Sequence, residues 1–122
     1  MTTKNEGLHA GGFIVSEANG ARSREQIVVV AGQTLNAGAV LGIVTASGKY
    51  AAYDNGAADG TQAAVGILLE AVDAAAADQP GVALVRDAEV NAAELDYSAG
   101  SSGGADITAA IADLLALGII AR

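Results

Sequence analysis

Apolar residues in this chain arrive in short runs, each closed off within a few positions by glycine, asparagine or a charged residue. QIVVVAG (26–32), VLGIVTA (40–46), AVGILLEAV (64–72) and VALVRDAEVN (82–91) are all of this kind. Such runs are too brief for useful helices, and those rich in Val and Ile suit buried strands. A chain written this way must build its core from many small strands. At 122 residues it is long enough for one domain with a single core.

Composition sharpens this. Of the 52% apolar residues, 29 are alanine and only 31 are Val, Ile, Leu, Met or Phe, while aromatic residues make up 3%. Burial therefore rests on aliphatic side chains at about 25 cal/mol per Å². The core is expected to be thin, and self-association would hide the apolar surface left over.

Fourteen acidic against six basic side chains give a net charge of −8, a field that repels phosphate backbones and anionic membranes. Neither nucleic acid nor a membrane is an expected partner. No run approaches the roughly 20 apolar residues of a helical span, and MTTKNEGLHAGG lacks a signal-peptide core. The product is expected to be soluble and intracellular when made. Without cysteine there is no disulfide framework, thiolate metal site or cysteine nucleophile.

Residues 1–25 read as a flexible N-terminal arm and residues 26–122 as a single β-rich domain. Within the arm, Phe13, Ile14 and Val15 form an apolar island that is ordered only if it docks on something. GQTLNAG (32–38) reads as a connection. VLGIVTA and KYAAY flank Ser47-Gly48, the spacing of a two-residue hairpin that would place Thr45 opposite Tyr50, Ile43 opposite Ala52 and Gly42 opposite Tyr53. DAAAADQPG reads as a loop, and VALVRDAEVN as a strand pair or a bent strand. At the C-terminus, Ile107, Ala110, Ile111, Leu114 and Leu115 recur at helical spacing, with Asp106 as the expected cap and Gly118 as the stop.

Catalytic motifs are not found. Gly42 and Gly48 miss phosphate-loop spacing by one residue, and Tyr50 stands where a hydroxyl ligand of magnesium belongs. The sole histidine, His9, lies in the arm with nothing to fix its geometry, and GSSGG (100–104) reads as a linker. DNGAADG has oxygen donors but lacks the ligand alternation of a calcium loop. No spacing singles out a pair among Glu70, Asp73, Asp78, Asp87, Glu89 and Glu94. Two readings of Lys49 stay open: a charge that keeps a hairpin end soluble, or the acceptor lysine of a lipoyl- or biotinyl-like carrier module. The second draws on the glycine-punctuated rhythm of AGQTLNAGAVLGIV.

Taken in order, GAVLGIVTASGKY, DGTQAAVGIL, RDAEVNAAEL and the closing ITAAIADLLALGIIAR resemble the bacteriophage lambda-type head-decoration proteins, from about residue 10 to the end. The resemblance implies a small, mainly β domain of β-clip or β-tulip type, no enzymatic activity and no cofactor. It also implies homotrimers at the local three-fold sites of an expanded phage head, with the major capsid protein as partner and the outside of the virion as location. On that basis Phe13, Ile14, Val15 and Ser16 are the expected capsid-binding residues, adding an extended segment to a capsid strand. The RSRE segment (22–25) is more charged than such an arm needs.

Overall fold

The computed structural model describes residues 10–97 and 104–122. Ten strands and one α-helix follow in order: β1 Ile14–Glu17, β2 Arg24–Val29, β3 Gln33–Leu35, β4 Val40–Ile43, β5 Tyr50–Ala52, β6 Gly66–Leu68, β7 Val72–Ala74, β8 Gln79–Leu84, β9 Ala88–Val90, α1 Gly104–Ala116 and β10 Ile119–Ala121. Five of them close a barrel in the order β2-β5-β4-β6-β8, and β8 returns to β2. β3 and β7 form a separate antiparallel pair. A third sheet, β1-β9-β10, gathers segments from both ends of the chain: β1 runs antiparallel to β9 and β10 runs parallel to it. The mainly β class with a C-terminal helix is what the run lengths and the final helical period predict.

Alternate residues of β4, β6 and β8 serve two cores. Leu41, Leu68 and Ala83 join Ile27 and Val29 in one cluster, with Tyr50 and Ala52 of β5 against it, so that every barrel strand contributes. Their neighbours Val40, Ile67 and Leu84 point the other way and pack with Phe13, Val90, Leu114 and Ile119. Strands buried on both faces have no polar side to alternate with, which is why these runs read as continuously apolar. Each Leu or Ile so buried contributes about 1.5–3 kcal/mol.

The outer layer, α1 and the β1-β9-β10 sheet, rests on the second of these clusters. Ala110 and Leu114 are buried and Ile107 and Ile111 half-buried, whereas Leu115 is 59% exposed and lies off the packed stripe. Gly118, at φ +83°, ends the helix and turns the chain into β10. Asp106 stands in the first turn of α1 and is not its cap. Its Oδ1 instead accepts the side-chain amide of Asn55 at 2.7 Å.

Other expectations need correcting. The hairpin register is two residues from the one expected: Ile43 faces Tyr50, Gly42 faces Ala51 and Leu41 faces Ala52. The connection is a four-residue loop, closed by Val44 N–H to Lys49 C=O at 2.9 Å, with Gly48 at φ +72°. Thr45 is withdrawn from the ladder because its amide donates to Asp59 C=O at 2.8 Å. Gly42 is covered by the backbone of Thr61, where a Cβ would stand 2.6 Å from Cα, and not by the Tyr53 ring. GQTLNAG contains β3, and the run 64–72 is divided between β6 and the start of β7.

Candidate interaction surface

Among the described residues, the chemistry-bearing side chains are mostly tied to structural partners. What remains is surface, and its most distinctive part is the outer face of the β1-β9-β10 sheet.

β1 is an edge strand. Among the described residues it pairs with β9 along one side only, and a bulge interrupts the register between Ile14↔Val90 and Ser16↔Glu89. Val15 is the unpaired extra residue, thrown outward to 58% exposure. Across the outer face, register aligns Ser16, Glu89 and Ile120. Glu89 accepts from Ser16 Oγ of β1 at 3.3 Å and from Nε of Arg122, the residue after β10, at 2.5 Å. Ile120 is exposed beside them, and a shallow groove of about 300 Å³ runs past Ser16, Arg22, Asp87, Glu89 and Ile120.

The far end of β1 is fastened to the barrel. Arg24 of β2 grips the Glu17 carboxylate in a fork, Nε at 3.0 Å and Nη2 at 2.6 Å. That bond holds the Glu17 carboxyl below its ordinary range despite some opposition from burial, and the Arg24 charge adds to the effect. Next to it, the buried Ser23 hydroxyl donates to Asp87 C=O at 2.8 Å and accepts Ala18 N–H at 3.0 Å. This joins the β1–β2 turn to the β8–β9 turn, where Asp87 adopts φ +49°.

The four residues assigned to capsid contact are thus differently placed. Phe13 is 1% exposed and belongs to the core cluster shared with the barrel. Ile14 is half-buried against the same cluster, while Val15 and Ser16 face outward. Of the expected arm, residues 1–9, including His9, lie outside the described residues, and residues 14–17 form β1. Glu89 and Arg122 were not singled out from sequence. Only the pairing of three segments from distant parts of the chain brings them beside Ser16, and no local pattern announces that.

A larger cavity than this groove lies elsewhere. An open groove of about 880 Å³ crosses β2 and β8 below the 44–49 loop, with Val28, Lys49, Tyr50, Glu70, Val72 and Pro80 among its walls. Burial, and then the nearby Glu25 charge, raise the Tyr50 phenol above its ordinary value. Lys49 is not at the loop apex, and its ammonium contacts the Asp78 carboxylate, which also accepts Ala31 N–H at 2.8 Å. These bonds lower the Asp78 carboxyl, the lysine first and the amide second.

The family model described as bacteriophage lambda head decoration protein D matches residues 3–119. No curated protein matches this sequence.

Proposed function

The chain belongs to the bacteriophage lambda head decoration protein D family, and on that premise we propose that it is a structural, non-catalytic protein of the phage head. In this reading it binds as a trimer to the outside of the expanded capsid, at local three-fold sites of the major capsid protein, and its fold is of the family's β-clip or β-tulip type. The observation that carries the reading is the match over residues 3–119, which takes in both the barrel and the outer layer. A ligand that binds the expanded shell and not its compact precursor stabilises the former by mass action, and so resists the pressure of packaged DNA.

The contact proposed is the free edge of β1. Phe13 anchors the segment from the core side, while Ile14, Val15 and Ser16 present it to a strand of the major capsid protein. Support comes from the exposed Val15 at the bulge and from the Glu17–Arg24 fork that fixes the strand's far end.

Purified protein incubated with expanded heads that lack decoration should co-sediment with them, and light scattering should give the mass of a trimer. Heads that remain bare would sink the proposed role. Val15→Asp, at an exposed position that leaves the core untouched, should fold normally and lose most head binding. If that variant saturates heads as the parent does, the β1 edge is not the contact, although the broader reading stands.

A further inference from the structure

Two Asn-Gly dipeptides occur in the chain, Asn19-Gly20 and Asn55-Gly56, and both lie in exposed turns. This dipeptide is the one most prone to spontaneous deamidation, because glycine puts no side chain in the way of ring closure and its backbone reaches the needed conformation freely. The deprotonated glycine nitrogen attacks Cγ of the asparagine, and the bond from Cγ to Nδ2 breaks. Ammonia leaves, and water then opens the succinimide at either carbonyl to give aspartate or isoaspartate. Water is the only co-reactant, nothing is oxidised or reduced, and the residue gains one negative charge.

The fold treats the two sites differently. Asn19 stands in the turn between β1 and β2, and among the described residues its side chain makes no hydrogen bond or ion pair. Gly20 has φ +69°, its amide has no backbone partner there, and no atom lies within 4 Å of where its Cβ would be. Among the described residues, no hydrogen bond holds either the attacking nitrogen or the side chain that carries the target carbon.

Asn55 is locked at every reacting atom. Its Nδ2 donates to Asp106 Oδ1 at 2.7 Å, and its Oδ1 accepts the Tyr53 hydroxyl at 3.1 Å. The Gly56 amide, which must lose its proton to attack, donates that proton to Asp54 Oδ1 at 3.1 Å. Beside a carboxylate an amide anion is disfavoured, and the proton is already engaged in a hydrogen bond. Asp106 belongs to α1, so part of this lock exists only while the helix is docked.

We propose that Asn19 is a site of spontaneous deamidation in the native protein, and that the same chemistry at Asn55 is held off by the docked helix. The new carboxylate at position 19 would lie close in sequence to Glu17 and Arg22, on a chain whose net charge is already −8. It would alter the charge of the turn leading out of β1, whatever that edge binds.

The test is to age the full-length protein in mildly alkaline buffer, natively and in urea, and to quantify aspartate and isoaspartate at each site by peptide mapping. In the native protein, conversion at Asn55 should be roughly tenfold or more slower than at Asn19, scaled by the fraction of molecules with that turn open. In urea the two rates should converge. Asp106→Ala should speed Asn55 and leave Asn19 unchanged, with circular dichroism reporting whether the variant is folded. If it is unfolded, the native and urea rates of the parent decide the matter. Equal native rates at the two sites, or an Asn19 as slow as Asn55, would overturn the proposal.

Discussion

The barrel and the layer packed against it are both made of short strands but are held by different means. In the barrel the longest ladder, β2 with β8, pairs six residues on each strand, from Arg24↔Leu84 to Val29↔Gln79. Its glycines permit contacts that any side chain would forbid. The outer layer has strands of three or four residues, none adjacent in sequence to its partner, and it relies on side chains at its seams. Ser23 reaches Asp87, Arg24 reaches Glu17, Asn55 reaches Asp106, and Asp113 Oδ2 accepts Ala64 N–H at 3.0 Å. Backbone fit holds one region, and polar side-chain ties secure the other to it.

The largest effect should follow from violating backbone fit. At Gly60, φ is +110° and a Cβ would overlap both Ile43 C=O and Thr45 Oγ1. Gly60→Val combines an unfavourable backbone with overpacking, and should cost about 3 kcal/mol or more. The urea midpoint should fall steeply, or the protein should fail to fold. An unchanged midpoint would mean that the 54–61 loop is not clamped on β4.

Phe13→Ala tests whether the two regions unfold together. Its loss should cost about 3–5 kcal/mol, comparable with Leu41→Ala inside the barrel. Because Phe13 packs with Val40, Ile67 and Leu84, the whole molecule should register the change in one transition with an unaltered denaturant slope. Two separate transitions would show that the outer layer is an independent unit.

The same contrast explains what could be read from the sequence. Helix α1 was legible because five apolar residues repeat at its own period, and β2 and β4 because branched residues cluster within single runs. β3 and β10 are three residues long and pair with segments far away in sequence, so neither carries a signal of its own. The hairpin shows a subtler limit. A shift of two residues leaves the same side chains on the same face, so periodicity cannot tell the two registers apart. The deciding contact is Thr45 with Asp59, and it comes from another loop. At the candidate surface, the sequence marked Val15 and Ser16 as an extended segment. It could not show that Phe13 turns into the core, because the partner strand β9 lies far along the chain.

A smaller effect is expected at the seam between turns. Ser23→Ala would leave Ala18 N–H and Asp87 C=O without their partner at a part-buried seam, at a cost of about 1 kcal/mol. Hydrogen exchange at Ala18 should accelerate more than exchange in β4. Equal acceleration at both would show that Ser23 supports the barrel as much as the layer.

The mildest test is acidification, and it separates the two regions by residue. Glu17 ties β1 to the barrel through Arg24, whereas Asp78 ties the 44–49 loop and Ala31 within the barrel's end. Both carboxyls sit below their ordinary values when folded. Their contribution is therefore complete above the unfolded-state value of about 4 and is lost as pH falls through the lower, folded one. Stability should be flat near neutrality and decline in that acid window. Glu17→Gln should flatten part of the decline and Asp78→Asn another part, each modestly because both groups are solvent-screened. The two changes should add, since the groups share no partner. Added salt should weaken the parent's acid dependence and leave that of the double variant nearly unchanged. If Glu17→Gln has the same pH profile as the parent, the Arg24 fork does not fasten the outer strand, and the sheet must be held by its apolar face alone.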